Sequence, residues 1–70
     1  MTGEEFAQEV ARKLGLAPLT EREVNAILDI ASVAAHSSER LAAPLSTYLA
    51  GRSGRSLDDV MAAVQAVQND

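Results

Sequence analysis

Apolar residues recur along this chain at steps of three and four, in four separate segments. In the first, Phe6, Val10 and Leu14 follow one another at i, i+4 and i+8, padded by Ala7 and Ala11, which places one narrow stripe on a helix. Thr2 can accept from an orphan backbone N–H while Glu5, three residues on, reaches back to it, the pattern of a capping box. Gly15 suits the left-handed conformation that ends such a helix, and Glu4, Glu5, Arg12 and Lys13 place charges of the right sign at its two ends. The second segment opens on another box, Thr20 and Glu23, with Leu19 and Val24 at the two positions of a hydrophobic staple. Val24, Ile27, Leu28, Ala31 and Ala35 trace one face, and Ile30, Val33 and Ala34 widen the arc. This helix is expected to be central and to be contacted on more than one side.

The third segment is short. Pro44 is tolerated in a first turn, where its missing N–H costs nothing, so the helix is expected to begin near Pro44, to turn Leu45, Tyr48 and Leu49 to the core and to stop at Gly51. The fourth has Ser56 as its cap, Asp59 as a weaker box partner, and Leu57, Val60, Met61, Val64 and Val67 at helical spacing. Turn residues collect at 15–19, 37–43 and 51–55, and no alternating run marks a strand. The expectation is an all-α, four-helix bundle-like single domain over residues 1–70, with helices near 3–14, 21–36, 44–51 and 57–68. Leu28, Ala31, Leu45, Leu49, Val60 and Val64 are expected among the most buried residues. Tyr48 is expected to bury its ring, so that Tyr48→Ala should cost about 3 kcal/mol or more.

Composition makes that core thin. The chain is 47% hydrophobic, but 13 of its 70 residues are Ala, which permits close helix approach while burying little area each. Stability at the usual density comes to about 3 to 10 kcal/mol, and homo-oligomerisation would raise it. The absence of Cys excludes disulfides, thiolate metal sites and thiol nucleophiles. The uncharged stretches 30–38 and 41–51 are shorter than the roughly 18 apolar residues of a membrane span, and residues 1–9 carry acids where a signal peptide carries bases. A cytoplasmic protein with no membrane partner is the expectation.

Candidate chemistry is sparse. His36 is the sole His and has Ser37 and Ser38 beside it, but neighbours on a helix point about 100° apart, so a helix-end role is favoured over a catalytic one. No spacing of His and carboxylates matches a metal site, and neither a metal nor a cofactor is expected. The run G-R-S-G-R-S at 51–56 is similar to a phosphate loop but lacks its Lys and its length. Asp58 and Asp59 would repel an anion there, so a plain turn is favoured. The formal charge of −4 is uneven: residues 1–29 sum to −3, 30–57 to +2 and 58–70 to −3. Arg40, Arg52 and Arg55 bracket the third helix and are the one place to receive an acidic partner or a phosphate, although scattered solvated Arg is the plainer account. A nucleic-acid module would be basic over a whole face, so no nucleic-acid partner is expected.

Residues 36–51, H-S-S-E-R-L-A-A-P-L-S-T-Y-L-A-G, resemble a small bacterial domain of unknown function whose hallmark is A-H-G, a few residues, then R-P-A-A-P-L-T-T-(F/Y)-L-x-G. His36, Arg40, Ala42, Ala43, Pro44, Leu45, Thr47, Tyr48, Leu49 and Gly51 match, and 27–31 is similar to the L-L-D-L-A that precedes the His. Leu41 and Ser37 depart from it. That family occurs alone and as an appendage of the molybdenum-cofactor guanylyltransferase, so the resemblance implies a setting in molybdopterin guanine dinucleotide biosynthesis and that enzyme as partner. Residues 56–61 also resemble the D-S-L motif of acyl carrier proteins, but Arg55 replaces the Asp, and the Ser lies too near the end for the helices that normally follow. The reading favoured is a non-catalytic accessory or interaction module whose candidate interaction residues are His36, Arg40, Thr47, Arg52 and Arg55. An anion or nucleotide binder using Arg40, Arg52 and Arg55 is the alternative, followed by a carrier or enzyme using Ser56 or His36.

Overall fold

Two Thr-x-x-Glu boxes and one Ser cap fix where the chain enters three of its four helices. A computed structural model describes residues 1–70 as α1 (Gly3–Lys13), α2 (Glu21–Ser37), α3 (Ala42–Ser53) and α4 (Leu57–Gln68), with no strand. Thr2 Oγ1 accepts from the Glu5 N–H at 3.1 Å while the Thr2 N–H donates to Glu5 Oε1 at 2.7 Å. Thr20 and Glu23 repeat the arrangement at 3.1 and 2.8 Å, and Ser56 Oγ accepts from the Asp59 N–H at 3.1 Å. Gly15 ends α1 at φ 72°, where its N–H reaches the Arg12 carbonyl and the Leu16 N–H reaches the Ala11 carbonyl. Those two bonds make a complete Schellman motif.

α2 is the spine. It packs along both α3 and α4, whereas α3 and α4 touch each other far less and α1 makes no extensive contact with any helix. Ile30 and Ala34 of α2 and Val60 of α4 are the only buried residues, and Ile30 is the only large side chain fully withdrawn from solvent. Half-buried Val24, Ala26, Ile27, Ala31, Val33 and Ala35 surround Ile30 and Ala34. They form the wide arc that marks α2 as central.

α3 departs from the sequence expectation in its length and in its rotation. It starts two residues earlier, at Ala42, which puts Pro44 third in the helix, still within the turn whose N–H groups need no intrahelical acceptor. It runs through Gly51 and ends at Gly54, which takes the left-handed φ of 67°. Its half-buried residues are Ala42, Ala43, Ser46, Thr47 and Ala50, a face of small side chains that lets the helix lie close to α2. The large residues point the other way: Leu45 is 63% exposed, Tyr48 68% and Leu49 51%.

The burial expected from periodicity therefore holds for Val60 and partly for Ala31 and Val64. It fails for Leu28, Leu45, Leu49 and Tyr48. α3 presents its small face to the spine, and Leu28 lies just outside the arc of α2 that α3 and α4 cover, on a side that α1 leaves bare.

A Cβ added at Gly51 meets nothing within 4 Å, and its φ is not positive. Gly51→Ala is expected to stabilise the fold by about 0.5–1 kcal/mol, and Gly54→Ala, forced into left-handed backbone, to destabilise it by about 1 kcal/mol. Urea denaturation of the two variants checks both signs. At α1, the Thr2 backbone N–H, and next the Thr2 hydroxyl, hold the Glu5 carboxyl below its ordinary value of 4.5. A lowered carboxyl stabilises the helix above the unfolded-state value and loses that contribution as pH falls through the folded one. The expected outcome is acid fraying of α1, read as amide chemical shifts at residues 3–6, with Glu5→Ala frayed at every pH.

Candidate interaction site

The five residues singled out from the sequence are distributed over the two ends and two faces of α3. His36 lies in the last turn of α2, its Nδ1–H donating to the Ser32 carbonyl at 2.7 Å with Ser32 Oγ at 3.3 Å. The Ser37 hydroxyl donates to the Val33 carbonyl at 2.6 Å, away from the imidazole. His36 is thus turned back onto its own helix end. Arg40 is exposed in the α2–α3 turn, where its carbonyl accepts from the Ala43 N–H. It lies before α3, and Arg52 sits in the last turn, so the rise of the helix separates the two by about 18 Å.

Thr47 and Arg55 do come together. Both line an open groove of about 440 Å³ between the first half of α2 and the α3–α4 turn, with Ile27, Ile30 and Ala50 as its floor. Glu23 lines the same groove, its carboxylate already engaged in the α2 cap, so an anion entering there meets one guanidinium and one carboxylate. The Thr47 hydroxyl donates to the Pro44 carbonyl at 3.1 Å. The Arg55 N–H donates to Ser53 Oγ at 3.1 Å, which stiffens the turn into α4.

Arg52 belongs to a different surface. Its guanidinium carbon stands 5.9 Å from the centre of the Tyr48 ring, one turn earlier on the outward face of α3. Leu41, Leu45, Tyr48 and Arg52 follow at i, i+4, i+7 and i+11, a continuous exposed stripe with a cation at one end. None of Arg40, Arg52 and Arg55 makes an ion pair; the only one in the molecule joins Arg12 to Glu9 at 3.1 Å. A second, more apolar groove of about 400 Å³ opens between α3, α4 and the end of α2, lined by Ala34, Leu49, Val60, Ala63, Val64 and Val67.

Large apolar residues at helical spacing point to the core by pattern alone, which is why the outward stripe is not legible in their spacing. The signal was present in the opposite phase: Ala43, Ser46, Thr47 and Ala50 repeat at three and four residues and form a small-residue face able to meet another helix closely.

A family model described as a domain of unknown function, DUF6457, matches residues 1–69. The chain belongs to this family. The match takes in all four helices, so membership in DUF6457 attaches to the whole arrangement around α2 and not to the 36–51 segment alone. No curated protein and no solved structure matches the chain.

With its ring exposed, Tyr48 contributes little to the DUF6457 fold itself. Tyr48→Ala is expected to change stability by less than about 1 kcal/mol, as surface substitutions do, in place of the 3 kcal/mol that a core position would imply. Thermal denaturation of the variant checks this.

Proposed function

We propose that this DUF6457 chain is a non-catalytic helical interaction module that docks an acidic protein surface onto the outward face of α3. The observation that carries this reading is the exposed stripe Leu41, Leu45 and Tyr48 with Arg52 set over the Tyr48 ring. An aromatic ring beside an unpaired guanidinium, framed by aliphatic side chains, is the composition of an interface hot spot. Arg40 at the other end of α3 adds a second unpaired cation, and this segment is the one net-positive part of an acidic chain, so opposite charge on a partner steers it there. The resemblance of residues 36–51 supplies the partner for a first test, a molybdenum-cofactor guanylyltransferase in the cytoplasm, which would make the module an accessory of molybdopterin guanine dinucleotide attachment. Nucleic acid is a poor fit to a chain of net charge −4, and no helix is long and apolar enough to cross a membrane.

A second reading rests on the groove shared by Thr47 and Arg55, which would receive an anion or nucleotide beside the start of α4. Glu23 in that groove and Asp58 and Asp59 on the first turn of α4 oppose it, which is why it ranks second.

Titration of the wild type with the guanylyltransferase and with guanine nucleotides separates the two. Protein docking predicts binding to the enzyme, weakened at least tenfold by Arg52→Ala and less by Arg40→Ala, since rim charges contribute little while a desolvated guanidinium contact is worth about 2–5 kcal/mol. Nucleotide binding lost in Arg55→Ala transfers the function to the groove. If the wild type binds neither, or the Arg40 and Arg52 variants bind the enzyme as the wild type does, docking through α3 is wrong.

A further inference from the structure

The chain exposes far more surface than its mass calls for. Its accessible surface is 5591 Å², whereas a folded monomer of 7.4 kDa exposes about 4,200 Å², an excess of about 1,400 Å². The radius of gyration is 12.5 Å where a compact 70-residue chain has about 11 Å. The excess exceeds the roughly 800 Å² that each partner contributes to a stable interface.

Besides the outward stripe of α3, two apolar features lack a partner. One is the stripe on α1, where Phe6 is 62% exposed, Val10 42% and Leu14 67%. The other is the groove between α3 and α4, whose Ala63, Val64 and Val67 leave an apolar trough beside Leu49. In the single chain α1 does not fill the groove. Ala7 shares a small hollow with Leu19 and Val24 at the first turns of α2, while the groove begins at Ala34, about 15 Å further along that helix. Arg55 and Asp59 are the only charged residues lining the groove and offset each other, so the complementarity is apolar, and Arg12 and Lys13 offset two of the three acids of α1.

We infer that the chain forms a two-fold homodimer in which α1 of each copy lies in the α3–α4 groove of the other, Phe6, Val10 and Leu14 meeting Leu49, Ala63, Val64 and Val67. Reciprocal exchange of an identical element closes the assembly at two. This interface uses the groove and α1, not the Leu41–Leu45–Tyr48 stripe of α3, so it stands or falls separately from the docking reading above.

The test uses the full chain in sedimentation equilibrium from about 1 to 100 μM. The wild type is expected at twice 7.4 kDa in the upper part of that range. Val10→Glu and Ala63→Lys, both at solvent-exposed positions of the single chain, are each expected to weaken the dimer at least tenfold while retaining the helical far-UV signal. Mixing the two variants is expected to restore it as a heterodimer, because one interface then pairs Glu with Lys and the other is wild type. Should Val10→Glu lose helicity, Ala63→Lys alone decides the matter. A wild type of 7.4 kDa throughout, variants that dimerise like the wild type, or a mixture that stays monomeric overturns the inference. So does a dimer that Tyr48→Ala dissociates and Val10→Glu leaves intact, since the contact then lies on α3.

Discussion

The single contact everything else depends on is the closeness of α3 and α4 to α2 around Ile30. A 70-residue chain with so much Ala has few bulky side chains to enclose, and the close approach of α3 to α2 needs small residues at that contact. Ala43, Ser46, Thr47 and Ala50 on α3 meet that requirement, and Ala34 meets it on α2. Short side chains bring the backbones together and gain dispersion contacts, but they remove little apolar area from water, at roughly 25 cal/mol per Å². Ile30 is left as the only large side chain fully enclosed.

The same choice determines the outside of the molecule. Once the small face of α3 is turned inward, Leu41, Leu45 and Tyr48 have no position except the surface, and Arg52, one turn beyond Tyr48, is presented with them. Because α3 and α4 are each drawn toward α2 more than toward each other, their upper edges diverge and leave the trough lined by Leu49, Val64 and Val67. The outward stripe and the groove are two results of one packing arrangement. Both concentrate apolar area on the surface of the molecule.

Features governed by local chemistry were legible in the sequence. The boxes Thr2–Glu5 and Thr20–Glu23, the Ser56 cap and the Gly15 terminus each involve residues within five positions of one another, and each lies where its residue types indicated. What required tertiary information was the rotation of α3, because both of its faces repeat at helical spacing, one with large apolar residues and one with small. Size alone favoured the wrong one. Gly51, the expected terminator, lies within the helix instead, and the left-handed conformation that ends it falls one turn further on, at Gly54. That extra turn also moved Arg52 onto the helix with Tyr48 and left Arg55 beyond it with Thr47, dividing a set of residues that sequence proximity had grouped.

A thin core and an apolar exterior are linked through mass action. A partner that binds only the folded chain stabilises it by RT ln(1 + [L]/Kd), about 2.7 kcal/mol when the partner is present at a hundred times its dissociation constant. Against a total of about 3 to 10 kcal/mol for a domain of this length, that is a substantial fraction, and far larger in proportion than for a domain with a full core. Association of the kind proposed above would act as an extension of folding: the area that α3 withholds from the interior to approach α2 closely is the area a bound surface could cover. On the docking reading proposed above, the folded population of the chain would follow the concentration of the surface that covers it, without any switch built into the four helices.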